Sequence, residues 1–449
     1  MSFEDMEFSS YDKAEHKAQK AFELYEDGQI TQAIIELEEA IQINPSNSSW
    51  HFNKALALDA ANRFEDAINE YEIALELNPS DPEILNSLAV DYTRSGQYDR
   101  AIAAFEHIQQ IDPDFEPCYC NRIITYTEMG KHDLAEQMFY LAQQINPDCA
   151  ICYYNIGNSL FIQGQYPKAI YCWLKTAELD PTHPEINYRI AQAYWAEGNS
   201  RVGRDYFLTE LRANPGDVDV ILDFGLFLLE HGDIESAKEK FNRILELEPA
   251  SAIASFYLGE IAFKTGDYEQ ARQLFNKALK KDSTLTGPYY RLGQYALMKG
   301  KKQDARAYLA SEVKLAPEDA DILVSMGSMF LAIGDFDYAI HCLLRAIDID
   351  CASADGYYYL GLANAMKGRF ESAAEFFAHT LDINPEHILA LKDSAVLCLR
   401  IGRLSDAAAR TNKAIALAGG DLRLKLLSCR IRLAQITRRI VDFLSRFLP

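Results

Sequence analysis

Apolar residues along this chain recur three and four positions apart, in short stretches that end at regularly placed glycine and proline residues. This spacing lines up the apolar side chains on one face of an α-helix. The stretches come in pairs, and each pair recurs after 34 residues, a fixed period that indicates an array of structural repeats. The pattern predicts a helix, a turn and a second helix, repeated twelve times.

Three series of residues keep this period without an insertion. Gly28 opens a series of eleven glycines and Asn62, and both residue types tolerate the positive φ angle that ends a helix. Ala33 opens a series of small residues in the second helix. Pro45 opens a series that fills nine of twelve places, and proline stops each second helix because it lacks an N–H group. Residues able to cap the first helices are Asp81, Asp217, Ser251 and Asp319.

Position 8 of most units, counted from Ala14, is also small and lies in the first helix, where it lets the two helices approach closely. Examples are Gly157, Ala191, Gly225, Gly259, Gly293, Gly327 and Gly361. Departures from the series are expected to change local packing or turns without shifting the register. They are Ile123, Gly203, Ser283, Cys351 and Gly419.

Small residues at positions 8 and 20, proline at position 32 and large residues at positions 11 and 24, such as Tyr92 and Phe105, resemble the tetratricopeptide repeat family. The resemblance covers residues 14–421, with repeats that start at residues 14, 48, 82, 116, 150, 184, 218, 252, 286, 320, 354 and 388. It implies an all-α fold, a right-handed α-solenoid or superhelix, whose first helices line a concave surface. One array then replaces several globular domains.

Both ends of the chain lie outside the array. Residues 1–13 carry no repeat signature and are expected to form a lead-in or the start of the first helix. Residues 422–449 have Ile436 where a turn glycine would fall, so we expect one long helix with Asp421 as its N-cap. Its apolar residues form a stripe of Leu422, Leu426, Cys429, Leu433, Ile436, Ile440, Phe443 and Phe447.

The C-terminal helix is basic, whereas the array is acidic. Seven Lys and Arg against one Asp give the helix a charge of +6, which leaves −28 for the other residues within the total of −22. We interpret the segment as a capping helix whose stripe covers the last repeat. Binding to an acidic protein or to an anionic membrane surface is the alternative. A parallel coiled coil is disfavoured because basic residues at one heptad position would repel across its seam, namely Lys425, Arg432, Arg439 and Arg446.

The charge and the termini limit the classes of partner. A net charge of −22 and a pI near 4.9 oppose binding to nucleic acid. No apolar run is long enough to span a bilayer, and a membrane partner is not favoured. The acidic N-terminus lacks the basic and apolar regions of a secretory signal. We therefore expect a cytoplasmic protein.

The nine cysteines are scattered, which in a cytoplasmic chain favours buried free thiols over disulfides. Cys118, Cys120, Cys149 and Cys152 form two close pairs that suggest a tetrahedral zinc site. However, Cys118 and Cys120 are separated by about 200° around a helix. We therefore expect free thiols, no metal ion and no other cofactor, with zinc as the alternative.

The sequence contains no recognisable catalytic pattern. The histidines lack the spacing of a helical zinc protease, no Gly-x-Ser-x-Gly sequence occurs, and residues 293–302 have the wrong spacing for a phosphate loop. No catalytic residue is predicted, and we do not expect an enzyme.

The family resemblance implies that positions 2, 5, 6, 9, 12 and 13 of the first helices face a groove, and these positions are rich in amide and aromatic side chains. An amide can pair with both polar groups of a peptide backbone, and aromatic side chains suit anchor positions. Asn53, Asn121 and Asn155 are similar to the asparagine ladder of O-linked N-acetylglucosamine transferases. The predicted peptide-binding groove consists of Asn53, Asn86, Asn121, Tyr154, Asn155, Asn158, Tyr188, Arg189, Gln192, Trp195, Tyr257, Tyr290, Arg291, Gln294 and Tyr358.

The sequence thus favours a non-catalytic scaffold or adaptor that binds an extended peptide or protein segment. The lysine and asparagine pattern of co-chaperones that hold a peptide C-terminus is missing. One alternative is a substrate-presenting or targeting subunit for a separately encoded enzyme such as a glycosyltransferase. The other is a peripheral membrane assembly factor that uses the basic C-terminal helix. The partner and the oligomeric state are left open.

Overall fold

The computed structural model describes residues 10–418 and 421–444, and this part of the chain consists of 25 α-helices with no strand. The all-α repeat fold predicted from the sequence is confirmed. The helices are α1 (Ser10–Glu26), α2 (Ile30–Ile43), α3 (Ser48–Ala60), α4 (Phe64–Leu77), α5 (Pro82–Arg94), α6 (Tyr98–Ile111), α7 (Glu116–Glu128), α8 (His132–Ile145), α9 (Ala150–Ile162), α10 (Tyr166–Leu179), α11 (Ile186–Glu197), α12 (Ser200–Ala213), α13 (Val218–Glu230), α14 (Ile234–Leu247), α15 (Ala252–Lys264), α16 (Tyr268–Lys281), α17 (Pro288–Met298), α18 (Lys302–Lys314), α19 (Ala320–Ile333), α20 (Phe336–Ile349), α21 (Ala354–Met366), α22 (Phe370–Ile383), α23 (Ile388–Arg400), α24 (Leu404–Ala418) and α25 (Leu422–Leu444).

The chain divides into two compact units, Met1–Val220 and Ile221–Pro449. In each unit the two helices of a repeat pack against each other, as α3 does against α4 and α21 against α22. The second helix of a repeat also packs against the first helix of the next, as α10 does against α11 and α20 against α21. First helices of neighbouring repeats touch as well, since α7 contacts both α5 and α9.

The turn inside each repeat has the backbone conformation that the sequence predicts. All eleven glycines of the series that starts at Gly28 have a positive φ angle. Asn62, the single exception in residue type, has φ 58°. Because both residue types tolerate this conformation, the first helices end at nearly the same place in every repeat.

The small residue at position 8 makes room for the large residue at position 24 of the same repeat. A Cβ atom on Gly225 would lie 2.8 Å from Cε1 of Phe241, and one on Gly361 would lie 2.7 Å from Cδ1 of Phe377. The close approach predicted for position 8 is thus observed. Ile123, which departs from the pattern, is itself fully buried in one hydrophobic cluster with Phe139.

Capping side chains occur where the sequence predicts them. Asp81 Oδ1 accepts from the N–H of Glu83 at 3.0 Å. The hydroxyl or carboxylate oxygens of Asp217, Ser251 and Asp319 accept from backbone N–H groups in the same way. These bonds satisfy donors that have no partner within the helix.

The departures at position 32 leave the helices unchanged. Proline is replaced by Ser283 and by Cys351, yet α16 and α20 end at the same repeat position as most other second helices. Gly419 lies outside the described residues. Gly203, which replaces the packing alanine, is buried, and a Cβ atom there would lie 3.3 Å from the carbonyl oxygen of Ala191.

Two first helices, α11 and α17, begin two residues late. The residue before each has a positive φ angle, 60° at Glu185 and 104° at Gly287. The buried carboxylate of Glu312 accepts from the N–H of Gly287 at 2.6 Å and from that of Tyr290 at 3.0 Å. Glu210 occupies the equivalent position beside α11 and is also buried, so the two variant repeats share the same buried acid.

The C-terminal helix α25 begins after Asp421, whose carboxylate accepts from the N–H of Arg423 at 2.8 Å. This confirms the predicted N-cap. The helix packs on α23 and α24 through Leu424, Leu427 and Ile431. No helix in the described ranges is long and apolar enough to cross a membrane.

α25 packs on the last repeat as expected of a capping helix, but the predicted apolar stripe does not make this contact, and the choice of packed face is wrong. Leu433, for example, is 66% exposed, whereas Ile431 is 1% exposed. Leu422, Leu426, Cys429, Ile436 and Ile440 are exposed with it. The reason is geometric, because a second and shorter apolar row lies on the opposite side of the same helix and makes the contact. The side chains of Phe443 and Phe447 lie outside the described part.

Candidate functional site

The residues of the predicted groove lie on first helices of both units, and each unit is described by itself. Ten of them, from Asn53 to Trp195, belong to the first unit, and five, from Tyr257 to Tyr358, belong to the second. Twelve of the fifteen are half-buried, and three are buried. Side chains that are neither fully exposed nor fully buried are already positioned, which lowers the entropy lost when they bind a partner.

An amide pair joins two neighbouring repeats of the first unit. Asn121 on α7 donates through Nδ2 to Oδ1 of Asn86 on α5 at 3.0 Å. Asn155 on α9 donates in turn to the carbonyl oxygen of Cys120 at 3.2 Å. Asn158, one turn further along α9, is half-buried and has no side-chain hydrogen bond to any described residue. We call Asn86, Asn121, Tyr154 and Asn158 the amide surface.

Aromatic and charged groups of the predicted groove lie on α9 and α11. The ring of Tyr154 lies 4.3 Å from that of His183, measured between centroids. Arg189 donates to Oε1 of Gln192 at 3.4 Å and lies over the ring of Tyr188. Trp195 packs edge to face against the core residue Phe207.

Asn53 is placed apart from the amide surface. It lines a small cavity in the first two repeats together with Ala21, Tyr25 and Leu37. The cavity is largely apolar, and its volume of about 70 Å³ is too small for a peptide segment.

Three members of the predicted groove are buried, and their side chains serve the packing of the array. Asn155 makes the inter-helix bond to Cys120 given above. The hydroxyl of Tyr290 bonds with that of Ser325 at 3.0 Å, and the hydroxyl of Tyr358 donates to Asp393 at 2.8 Å. The expectation that these side chains lie open to a partner therefore needs correction.

Arg291 in the second unit is also engaged within the protein. Its Nε and one terminal nitrogen donate to the two carboxylate oxygens of Glu260, each at 2.6 Å. Its other terminal nitrogen donates to Gln294 at 2.9 Å. Burial opposes the charged form, but the two bonds to Glu260 and its charge raise the pKa of Arg291. Tyr257 stacks on Phe241 with ring centroids 5.3 Å apart. The groove side chains of the second unit therefore mainly contact other residues of the protein.

Three cysteines of the first unit, Cys120, Cys149 and Cys152, form a cluster that is not made of free thiols alone. Cys120 and Cys152 form a disulfide with a Cα–Cα distance of 5.2 Å, so the prediction of free thiols is wrong for this pair. Cys149 Sγ lies 3.6 Å from Cys120 Sγ. Cys118 points elsewhere, towards the carbonyl oxygen of Phe105 at 3.4 Å, as its position around the helix predicts.

Glu116 completes this cluster and was not singled out by sequence reasoning. It is the first residue of α7, and its Oε1 lies 3.8 Å from Cys120 Sγ. Burial, with a smaller contribution from Glu116, raises the pKa of the Cys149 thiol to about 12. In the sequence, this cluster could have been detected from the spacing of Cys149 and Cys152. That spacing places one thiol at the N-cap of α9 and the other in its first turn.

Two family models match four segments of the chain. A tetratricopeptide repeat model matches residues 52–114 and 222–285, and a TPR repeat model matches residues 157–198 and 327–368. Among curated proteins, the chain is similar to a peroxisomal targeting signal receptor of Candida albicans, with 31% identity over 93 residues. That match covers 21% of this chain and only 16% of the receptor.

Solved structures of repeat proteins are similar over longer stretches at low identity. The Cut9–Hcn1 hetero-tetramer of APC/C gives 15% identity, covers 94% of this chain and 96% of its own, and has a TM-score of 0.43. A tetratricopeptide repeat protein from Parabacteroides merdae gives 16% identity, covers 60% of this chain and 99% of its own, and has a TM-score of 0.45.

Helix pairs in a constant 34-residue register, most of them with a small residue packed beneath a large one, define a helix-pair repeat protein. Matches of the family models in both units agree with this class. The chain belongs to the tetratricopeptide repeat family.

Proposed function

We propose that this protein is a non-catalytic scaffold of the cytoplasm that binds an extended segment of another protein on the amide surface of its first unit. The observation that supports the proposal is the bond from Asn121 to Asn86, which fixes two amides side by side on neighbouring repeats. Asn158 adds a half-buried amide on α9, the first helix of the following repeat.

The hydrogen-bonding capacity of these amides suits a peptide backbone. After the bond from Asn121, the Nδ2 group of Asn86 still has both donors, and Oδ1 of Asn121 can still accept. Asn158 has its donors and its acceptor for a partner. An extended peptide presents N–H and C=O groups at regular intervals, so these amides pair with its backbone whatever its side chains are.

Tyr154 gives the surface an apolar contact next to the amides. Its ring is held against His183, so little side-chain entropy is lost when it packs against a partner residue. A 93-residue stretch similar to a receptor for a targeting signal agrees with recognition of a peptide. The same likeness favours an adaptor or targeting role within the scaffold class.

Selection from a displayed library of random peptides tests this proposal. The purified chain is the bait, and enriched peptides are then measured against the double variant Asn121→Ala/Asn158→Ala. We expect peptides that bind the wild type and lose most of their affinity for the variant. Asn69→Ala, an exposed amide on the second helix α4, is the matched control. Peptides that bind the double variant as well as the wild type contradict the proposed surface.

A second candidate function is attachment of α25 to an anionic lipid surface, and the exposed stripe on this helix favours it. At about 100° per residue, Leu426, Leu433 and Ile440 fall on one narrow line. Arg423 and Arg430 flank this line on one side, and Lys425, Arg432 and Arg439 flank it on the other. An apolar row between two basic rows is the arrangement with which a helix lies in the headgroup region.

Co-sedimentation with vesicles of phosphatidylcholine, with and without phosphatidylserine, tests this second function. We expect the wild type to sediment only with the anionic vesicles. Leu433→Ser/Ile440→Ser should remain in the supernatant, whereas Leu417→Ser, a change at an exposed leucine of α24, should behave as the wild type. Equal sedimentation of all three proteins would remove the lipid function without affecting the peptide proposal.

A further inference from the structure

Four potential metal ligands converge where two first helices of the first unit begin. Glu116 and Cys120 lie on the first two turns of α7, Cys149 is the N-cap of α9, and Cys152 lies in the first turn of α9. Their ligand atoms all lie within 4.8 Å of one another. The three cysteines are buried and Glu116 is half-buried.

The separations within the cluster fit a tetrahedral zinc site. With the usual Zn–S and Zn–O bond lengths, sulfurs lie about 3.8 Å apart and a sulfur lies about 3.5 Å from a carboxylate oxygen. Cys120 Sγ is 3.6 Å from Cys149 Sγ and 3.8 Å from Glu116 Oε1. Cys152 Sγ is 3.9 Å from the same oxygen. Cys149 Sγ also lies within 4.8 Å of Cys152 Sγ and of the Glu116 carboxylate. The sixth pair is the disulfide between Cys120 and Cys152, which must open before both sulfurs can bind an ion.

The surroundings orient the ligands toward a common point. Asn146 donates through Nδ2 to Oε2 of Glu116 at 3.2 Å, which leaves Oε1 facing the sulfurs. The backbone N–H of Cys152 donates to Cys149 Sγ at 3.2 Å. The N-terminus of α9 adds a positive partial charge beside the two cysteines it carries, which offsets part of the cost of ionising these buried thiols.

A cation supplies the charge that this cluster otherwise lacks. Within residues 10–418 and 421–444, no lysine or arginine forms a salt bridge with Glu116. Three thiolates and a carboxylate collected at one place repel each other unless a cation lies between them. The preceding repeat lacks this set, because its residues equivalent to Glu116, Cys120 and Cys149 are Pro82, Asn86 and Phe115.

We propose that Cys120, Cys149, Cys152 and Glu116 bind one Zn²⁺ ion when the Cys120–Cys152 disulfide is reduced. The ion joins α7 to α9 next to the bond between Asn155 and Cys120, and so it stiffens the repeats that carry the amide surface. This metal site replaces the expectation of a chain without metal. It does not depend on what the amide surface binds.

The chemistry balances with a phosphine or a dithiol as the reductant. A phosphine breaks the S–S bond, each sulfur ends as a thiol, and the phosphine becomes its oxide with oxygen from water, whose two hydrogens go to the sulfurs. A dithiol achieves the same by exchange and ends as its own disulfide. Zn²⁺ then displaces one proton from each of the three thiols.

Titration with Co²⁺, followed by Zn²⁺, tests the site on the full chain without a histidine tag. The protein is reduced with a phosphine under anaerobic conditions, and Co²⁺ is added. We expect one equivalent to give the thiolate charge-transfer absorption and the intense visible bands of tetrahedral cobalt, and one equivalent of Zn²⁺ to abolish them. Without reduction, no such bands should form.

Variants identify the ligands. Cys149→Ser and Glu116→Gln should weaken cobalt binding by more than about 100-fold, and Asn146→Ala by about tenfold. Cys118→Ser removes a buried thiol from the same helix that points away from the cluster, and it should bind as the wild type does. Circular dichroism without metal checks that each variant is folded. Cobalt that stays octahedral in the reduced wild type, or equal binding by Cys149→Ser and Cys118→Ser, would overturn the proposal.

Discussion

Gly157 on α9 faces the indole of Trp173 on α10 so closely that a Cβ atom on Gly157 would lie 2.5 Å from the indole Nε1. The ring has little freedom to move away. Trp173 is buried, and its Nε1 donates to the carbonyl oxygen of Tyr154 at 3.2 Å. The absence of one side chain at position 8 therefore fixes the distance between the two helices of this repeat.

Gly157→Ala is expected to destabilise the protein, although alanine favours a helix by up to about 1 kcal/mol over glycine. The added methyl group must push the two helices apart, and overpacking of this kind costs about 1–3 kcal/mol. Urea unfolding followed by circular dichroism measures the change. Gly216→Ala is the control, because nothing lies within 4 Å of that Cβ position and Gly216 has no positive φ angle. Equal stability of the two variants would contradict the packing described for Trp173.

Alanine substitutions in the two apolar rows of α25 should have different effects on stability. Ile431→Ala removes a buried side chain at the contact with Ala407 of α24 and Cys398 of α23, and it should cost about 2–5 kcal/mol. Leu433→Ala removes an exposed side chain and should stay within about 0.5 kcal/mol of the wild type. Thermal unfolding of both variants checks this. A larger loss for Leu433→Ala would restore the stripe predicted from the sequence as the packed face.

Glu312→Ala should destabilise the second unit because it leaves the N–H groups of Gly287 and Tyr290 without their acceptor. Unsatisfied buried donors cost about 1–3 kcal/mol. Glu312→Gln keeps one of the two side-chain oxygens and should lose less stability. Glu318→Ala, at an exposed position in the segment before α19, should lose little. Urea midpoints of the three variants give the order. If Glu312→Ala is as stable as Glu318→Ala, the carboxylate does not stabilise the start of α17.

Asp91 makes stability depend on pH in the first unit. Burial, together with the nearby charge of Asp59, raises the pKa of Asp91 from 3.8 to about 7, against the opposing effect of Arg94. The folded protein therefore binds more protons than the unfolded chain between these two values. Its stability should fall as pH rises from about 4 to about 7 and then level off.

Asp91→Asn should remove this pH dependence and stabilise the protein at pH 8 by about 1–3 kcal/mol. The reason is that a neutral amide does not lose solvation energy as a buried carboxylate does. Urea unfolding at pH 5, 6, 7 and 8 measures it. Asp99→Asn, at an exposed position of α6, should keep the slope of the wild type. An unchanged slope in Asp91→Asn would show that Asp91 is ionised in the folded protein at pH 5.

The repeat register was predictable because each marker acts within its own helix pair. Asn62 ends a helix through its own φ angle, and Asp81 caps a helix by accepting from the N–H groups of Glu83 and Ile84. Such local effects can be inferred from residue type and spacing alone. For the same reason the period survives the loss of proline at residues 283 and 351.

The contacts that sequence reasoning missed join residues far apart in the chain. Leu433 and Ile431 belong to two different apolar rows of α25, and the helical spacing of either row is compatible with packing. Which row packs depends on the surface that the last repeat offers to α25. Cys120 and Cys152 meet because the first helices α7 and α9 of consecutive repeats lie side by side. The angle between Cys118 and Cys120 around one helix gives no information about this contact. The repeat position of Tyr358 likewise does not indicate that its hydroxyl donates a hydrogen bond to Asp393.

The dissociation constant of one library-selected peptide, measured by calorimetry with three forms of the full chain, tests the central proposal most directly. Asn121→Ala/Asn158→Ala should bind the peptide at least about tenfold more weakly than the wild type, since each lost hydrogen bond costs about 1 kcal/mol. Asn69→Ala should bind as the wild type does. Equal dissociation constants for all three proteins would contradict binding at the amide surface.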